Sequence, residues 1–530
     1  MQLLLARLFA IISIAAMGAE PFVKVLHTFQ QNRYELRRYS GWLGERHKFQ
    51  PGFWLGMVGV LVGATIWIIL PFSDLTKLLL SGIFNVVVLV FFYLFVPKKT
   101  AIKPLRWTHR VLRQALVFVL LWLGIYLYAI AALPLGLYSY LYVIVLVLPW
   151  FLLYVVALLL MPVEKLVWNH YLSLAKKKLS TMPDLIKVGI TGSYGKTSCK
   201  NIAQQLLSQH FYTLMTPASY NTPMGITITI RSQLEKLHQV FLCEMGADKV
   251  GEISYLARFV EPKYGIVTAV GPQHLNTFGS IENIVKEKMA LIELLPADGV
   301  GIINKDNQYV REYPLQCLCE LRSIGILSGD VDYRATDITY DAAGSRFKVV
   351  TSGESYDFST GLLGEHNITN ILCAIALARE LGISWEDLII GVKNLSQVEH
   401  RLQIKQINGY TFIDNAFNSN PAGAAMSLEV LSRMPGKRII ITPGMIDLGA
   451  QEESANRNFG KQMKGKADEV ILVGQNRTKA IAEGLAEIGF DEKHIHIVKS
   501  VRDGFALVYK NFTTSDTILL ENDLPDAFSS

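Results

Sequence analysis

Two regimes of apolar patterning divide the chain near residue 162. Before it, apolar runs occupy about 3–18, 53–72, 77–96, 112–134 and 139–161. Each approaches the roughly 20 residues that an α-helix needs to cross a bilayer. After Met182 the runs shorten to strand length, at 186–190, 239–243, 264–268, 299–303, 410–413, 438–442, 469–473 and 516–520. They alternate with helical segments, which predicts an α/β fold with largely parallel sheets. The expected architecture is an α-helical membrane domain of four or five helices at 1–162, an amphipathic linker at 163–182, and α/β domains from 183 onward.

A length of 530 residues is enough for several domains. The chain is 51% hydrophobic and 18% charged, and the apolar excess lies before residue 162. The net charge of +6 gathers in basic clusters at 24–48, 98–113 and 165–178, beside the apolar runs. That placement predicts membrane topology rather than nucleic-acid binding. The three clusters belong inside, and the short linkers 73–76 and 135–138, which lack Lys and Arg, face out. Everything after 162 is then cytoplasmic. The first run, with Arg7, reads as an uncleaved anchor; a cleaved signal peptide gives the same placement after residue 20. The spans carry no polar pair that marks an ion path, which argues against a transporter. The stretch 26–43 mixes aromatic and basic residues, as an interfacial helix or a polyprenyl-phosphate headgroup surface does. The five cysteines lack zinc-site spacing and read as reduced thiols.

The chemistry is concentrated first in KVGITGSYGKTSCKN, 187–201. A buried strand meets a turn with Gly192 and Gly195, and a helix begins near Lys196. Backbone N–H groups and the helix N-terminus favour an anion there. Lys196 is placed for β- and γ-phosphate, and the Thr197 hydroxyl for Mg²⁺. The usual phosphate loop wants a glycine where this chain has Ile190. A second strand ends in Glu244, where a carboxylate can hold Mg²⁺. A third leads into the loop of His274, which would complete a ligand set with Thr197 and Glu244.

Jointly, TGSYGKTS (191–198), NTPMG (221–225), CEMGA (243–247), GPQHLNTFGS (271–280), KEKMALI (286–292), INKDN (303–307), GEHNITN (364–370), HRL (400–402) and DNAFNSNP (414–421) resemble the ATP-dependent Mur ligases. The likeness covers roughly 183–510, and the wording is most similar to the branch that joins D-alanyl-D-alanine to a UDP-muramoyl-tripeptide. It implies a central ATP-binding domain at 183–397 and a Rossmann-like C-terminal domain at 398–530, hinged near Glu399–Leu402. It also implies an amide ligase that activates a carboxylate as an acyl phosphate for attack by an amine.

By the same resemblance, Gly192, Ser193, Gly195, Lys196, Thr197 and Ser198 hold the triphosphate. Thr197 and Glu244 bind one Mg²⁺ and His274 a second, with Lys288, carbamylated, as a further carboxylate-like ligand. Asn304 and Asp306 lie by the adenine, and His366, Asn367 and Asn370 approach the nucleotide. Arg401 reaches the γ-phosphate, while Asp414 and Asn415 cover the ATP from the last domain. Lys196, His274, Lys288, Arg401 and Asp414 form the implied catalytic set.

The chain departs from the family in three places. The DDxxNxN motif has Asn415 for its second acid, which normally handles the ATP ribose. The KGSR-type ending is replaced by ILLENDLPDAFSS, with Glu521, Asp523 and Asp526. These read as an acidic tail or as a contact for a cationic amine. The UDP-cradling N-terminal domain gives way to the membrane half, which suggests a lipid-linked acceptor. Competing readings are a poly-γ-glutamate-type synthase, a membrane NTPase and a degenerate ligase-like binding protein.

Overall fold

The computed structural model describes residues 22–44, 104–132, 141–218, 220–341, 344–397, 402–416, 421–446, 448 and 451–522, with Ser73, Thr76 and Ile83 besides. The predicted spans 3–18, 53–72 and 77–96 lie outside these residues, apart from Ile83. So do Arg401, the motif positions 417–420, and Asp523 and Asp526. The chain divides into two compact units, 1–170 and 171–530.

In the first unit, helices at 22–31, Leu36–Gly44, His109–Ala132 and Leu141–Ser180 share a core. Phe29, Tyr39, Phe118, Leu153 and Val156 are buried there. Tyr39 Oη donates to the Trp150 carbonyl at 3.0 Å, and Arg110 and Arg113 both pair with Glu164, at 3.3 and 2.7 Å. The outward faces are apolar: Leu116, Leu120, Leu127, Phe151, Leu159 and Met161 are each more than half exposed.

Among the described residues, one helix is long and apolar enough to cross a membrane, in its part Leu148–Ser180. The expected linker at 163–182 is not a separate element. The helix Leu141–Ser180 runs for 40 residues through Pro149 and Pro162. A helical proline forfeits one hydrogen bond, and the strong helix formers after Pro162 continue the helix.

In the second unit, the predicted strands appear within a residue or two of their expected bounds. A nine-stranded sheet has the order β2-β3-β1-β4-β5-β6-β7-β8-β9. Its strands are β1 Ile186–Thr191, β2 Thr213–Met215, β3 Val240–Glu244, β4 Tyr264–Val267, β5 Val300–Asn304, β6 Glu320–Gly325, β7 Tyr333–Asp341, β8 Gly344–Thr351 and β9 Glu354–Thr360. Pairing is parallel from β2 to β7 and antiparallel through β8 and β9.

The sequence pattern missed this antiparallel extension. In β9, ESYDFST, few positions are apolar, because only Phe358 and Thr360 are buried. One face of the sheet packs on the Lys196–Leu207, Glu365–Glu380 and Trp385–Lys393 helices. The other packs on Pro223–Ser232, Glu252–Val260 and Ile281–Glu293, joined by Ala175 and Leu179 from the end of the long helix.

The last domain has a six-stranded sheet in the order β10-β11-β15-β12-β13-β14. Its strands are β10 Gln403–Ile407, β11 Tyr410–Asn415, β12 Arg438–Thr442, β13 Glu469–Val473, β14 Ile495–Val498 and β15 Thr517–Glu521. All neighbours are parallel except β10 and β11.

Candidate active site

The central sheet determines where a ligand can sit. The chain leaves β1 toward β2 and β3 on one side, then crosses to β4 on the other. A parallel sheet opens a crevice beyond its strand C-termini where the order reverses. Three loops meet there: 192–195 after β1, 245–251 after β3, and 268–274 after β4.

The glycines of the first loop are required by close approach. Gly192 has φ 149°, and a Cβ on it would lie 2.3 Å from Thr268 Oγ1 and 2.9 Å from the Ala269 carbonyl. Gly195 has φ 84°, and its Cβ would lie 2.7 Å from Asn370 Oδ1. Only glycine adopts such backbone without strain. Gly195 caps the Lys196–Leu207 helix without a side-chain hydrogen bond, so the helix N-terminal N–H groups keep their affinity for an anion.

Lys196 folds back over this loop, and its Nζ donates to the carbonyls of Gly192 at 2.7 Å and Ser193 at 3.1 Å. The Ser193 hydroxyl, expected at the triphosphate, instead donates to the Gly271 carbonyl at 3.0 Å, tying the loops after β1 and β4 together. Ser198 is buried one turn into the helix.

Glu244 ends β3 and is buried. Its Oε1 accepts from Thr197 Oγ1 at 3.3 Å and from Asn221 Nδ2 at 3.0 Å. Lys200 Nζ lies 2.9 Å from Oε2 and is equally buried. Burial pushes the Glu244 pKa up, but Lys200, Lys196 and the hydrogen bond from Asn221 outweigh it, so the group stays below the ordinary carboxylate value. Thr197 and Glu244 are thus brought together as expected. Lys200 and Asn221 are partners that the sequence reading missed, although both lie inside quoted motifs and Lys200 follows Lys196 by one helical turn.

Beyond β3, His274 Nε2 stands 3.7 Å from Asp248 Oδ1. Lys288, on the Ile281–Glu293 helix, is buried with its Nζ 3.5 Å from the Ala247 carbonyl. Burial, reinforced by the positive charge of Lys196, lowers the Lys288 pKa to about 7, against the opposing pull of Glu287, Asp248 and Glu252. The neighbouring Glu287 accepts from the N–H groups of Gly251 and Ile253 and holds the start of the Glu252–Val260 helix.

A stability prediction follows from the proton count at Lys288. Between about pH 7 and 10.5 the unfolded chain binds a proton there that the folded chain does not. Its contribution to unfolding free energy therefore rises with pH across that window. Urea titrations at several pH values should show this rise, and Lys288→Met should flatten it.

Asn304 and Asp306 lie together after β5, where Asn304 Oδ1 accepts from the Asp306 N–H at 3.0 Å. The Asp306 carboxylate accepts from the N–H groups of Ile326, Leu327 and Ser328, so it fastens that turn. At the start of the Glu365–Glu380 helix, Asn370 meets the phosphate loop through its approach to Gly195. Among the described residues its buried Nδ2 has no hydrogen-bond partner. That leaves a donor beside an anion loop, which fits a nucleotide phosphate. Asn367 Nδ2 donates to the Leu363 carbonyl at 2.8 Å, and His366 Nδ1 meets Met426 Sδ of the last domain.

Asp414 and Asn415 end β11. Asp414 pairs with Lys405 Nζ at 2.5 Å. Glu521 corrects the reading of an acidic tail. It is the last residue of β15 and fully buried, paired in register with Asn415, because the β15 core continues to its end.

Residues 190–378 match the family model of the Mur ligase middle domain, and residues 400–521 that of the Mur ligase, glutamate ligase domain. The chain is 31% identical over 306 residues to the UDP-N-acetylmuramoyl-tripeptide–D-alanyl-D-alanine ligase of Escherichia coli, covering 57% of this chain and 67% of that protein. It is 27% identical over 370 residues to the protein of the same name in Bacillus subtilis, covering 67% and 78%. In fold it is similar to MurF from Acinetobacter baumannii, with a TM-score of 0.60 at 23% identity over 68% of this chain and 78% of that one. The MurF ligase from Thermotoga maritima in complex with ADP gives a TM-score of 0.60 at 21% identity, over 67% and 80%.

Fold and site together define an ATP-dependent ligase that forms C–N bonds. The chain belongs to the Mur ligase family.

Proposed function

We propose that the chain is a membrane-held peptide ligase of cell-wall synthesis, which joins the terminal carboxylate of a muramoyl-tripeptide to the amine of D-alanyl-D-alanine. The observation that carries the reading is the convergence at the β1 switch point. Supporting it, Gly192, Gly195, Lys196, the Thr197–Glu244 pair, Lys288 and Asn370 lie on or beside the loops after β1 and β3.

Gly192, Gly195 and the helix N-terminus hold the triphosphate, and Lys196 turns from the loop carbonyls to the β- and γ-phosphates. Ser193 and Ser198 build the loop from behind. Thr197 and Glu244 suit one Mg²⁺, which supplies charge neutralisation at the transferring phosphoryl group. His274, Asp248 and Lys288 suit a second. A lysine with a pKa near 7 is about half uncharged amine at neutral pH, where an ordinary lysine is almost wholly charged, and the uncharged form is the one that adds CO₂ to become a carbamate. Asn304 and Asp306 line the adenine side, and His366, Asn367 and Asn370 the phosphate side. Arg401, Asp414 and Asn415 close over the ATP from the last domain.

In the reaction, a carboxylate oxygen attacks the γ-phosphorus and ADP leaves. The amine then attacks the acyl carbon, phosphate leaves, and the amine proton passes to solvent.

The exposed apolar faces of the His109–Ala132 and Leu141–Ser180 helices support the membrane half. Contiguous apolar surface of that kind marks a membrane or protein contact, and the 24 residues of the His109–Ala132 helix are near the roughly 20 that a bilayer asks for. The basic clusters put the catalytic unit on the cytoplasmic side. A ligase held there suits a lipid-linked acceptor. The test is amide formation by the detergent-purified chain from ATP, D-alanyl-D-alanine and either UDP-linked or lipid-linked muramoyl-tripeptide. Faster turnover of the lipid-linked acceptor is expected. Turnover of the UDP-linked acceptor alone, at an unchanged rate without residues 1–162, would overturn the lipid-linked part of the reading.

A further inference from the structure

Glu521 has no task in the reaction as described, yet it is a fully buried carboxylate at the C-terminal end of β15. β11 and β15 run parallel with Asn415 opposite Glu521. Glu521 Oε2 accepts from Asn415 Nδ2 at 2.9 Å and from Ser427 Oγ at 2.5 Å. An ionised carboxylate can only accept hydrogen bonds, whereas an amide has a donor end and an acceptor end. Facing Glu521, the Asn415 amide therefore has one stable orientation, with its NH₂ toward Glu521 and Oδ1 away from it. Asn415 is half-buried, so Oδ1 becomes the acceptor that β11 presents at its C-terminal end. An aspartate at this position, as the DDxxNxN pattern has, would present an acceptor in the same place.

We propose that Glu521 is a positioning residue: by holding the Asn415 amide, it makes Asn415 Oδ1 an acceptor for the ribose hydroxyls of ATP. The inference rests on the reading that places Asn415 over the nucleotide. It turns an apparent loss at 415 into an exchange, in which the charge has moved one strand away and the outward face still accepts. Without Glu521 the amide is no longer held in one orientation, and Oδ1 is no longer fixed toward the hydroxyls.

The test uses the full chain in detergent and compares KM for ATP with KM for 2′,3′-dideoxy-ATP. Glu521→Leu, which cannot accept from Asn415, should raise KM for ATP about 3- to 10-fold, the worth of one hydrogen bond, with kcat little changed. It should leave KM for the dideoxy nucleotide where it was. Asn415→Asp should also weaken ATP binding, because it sets two carboxylates face to face. The double variant Asn415→Asp with Glu521→Gln should recover, since the glutamine NH₂ can donate to the new aspartate.

A purely structural role would lower the melting temperature of each variant and move KM for both nucleotides alike, or for neither. Either outcome overturns the proposal, as does a fully competent Asn415→Asp. Failure of the broader ligase reading looks different, because the unaltered chain would then form no amide.

Discussion

Lys196→Ala should reduce ATP-dependent amide formation by about 10³-fold, the scale seen when one preorganised cationic or hydrogen-bonding group is removed from a phosphoryl or acyl transition state. Lys196 Nζ bridges two carbonyls of the loop that carries the anion-binding glycines. It is only half-buried, so its loss should leave folding intact. Circular dichroism and detergent extraction check the fold, and phosphate release with amide product checks the chemistry. Activity within tenfold of the unaltered chain would remove Lys196 from its assigned place.

The second large effect concerns stability. Lys200→Met leaves Glu244 buried beside an apolar side chain, with Asn221 and Thr197 as its remaining side-chain partners. Breaking a buried ion pair from one side costs about 3–5 kcal/mol, because the surviving charge keeps its desolvation penalty without its partner. Urea unfolding should show that loss, and Mg²⁺ with ATP should restore part of it by returning positive charge to Glu244. A double change, Lys200→Met with Glu244→Met, should recover stability while abolishing activity. A loss below about 1 kcal/mol would mean that the pair is not dry, since exposed pairs are worth only that much.

Much of this arrangement is legible in the chain, and the reasons for success and failure are physical. Strands buried on both faces write themselves as unbroken apolar runs, so β1, β3, β4, β5, β12 and β13 were readable with near-residue accuracy. Edge strands carry no such mark. QIKQI of β10 and ESYDFST of β9 alternate with polar residues, because one side of each meets solvent. The glycine pattern of the phosphate loop was readable because backbone sterics demand it.

Pairings between distant residues were not readable. Lys200 and Glu244 are joined only when β1 and β3 lie side by side. Glu521 looked like part of a charged tail, since nothing local says that Ser427 and Asn415 await it across 94 and 106 residues. The end of the long apolar runs near 162 suggested a boundary, and the helix passes through it. In the candidate site, the Thr197–Glu244 contact follows from motif positions, whereas the commitment of the Asp306 carboxylate to the N–H groups of Ile326, Leu327 and Ser328 has no local mark.

The central claim is that the crevice makes an acyl phosphate, and oxygen transfer reports that step directly. Muramoyl-tripeptide, UDP-linked or lipid-linked, is labelled with ¹⁸O in its terminal carboxylate and turned over with ATP and D-alanyl-D-alanine by the purified full-length chain. Each amide formed should deliver one ¹⁸O from the carboxylate into inorganic phosphate, read by mass spectrometry. Amide formed with unlabelled phosphate, or phosphate released without amide, would contradict the account.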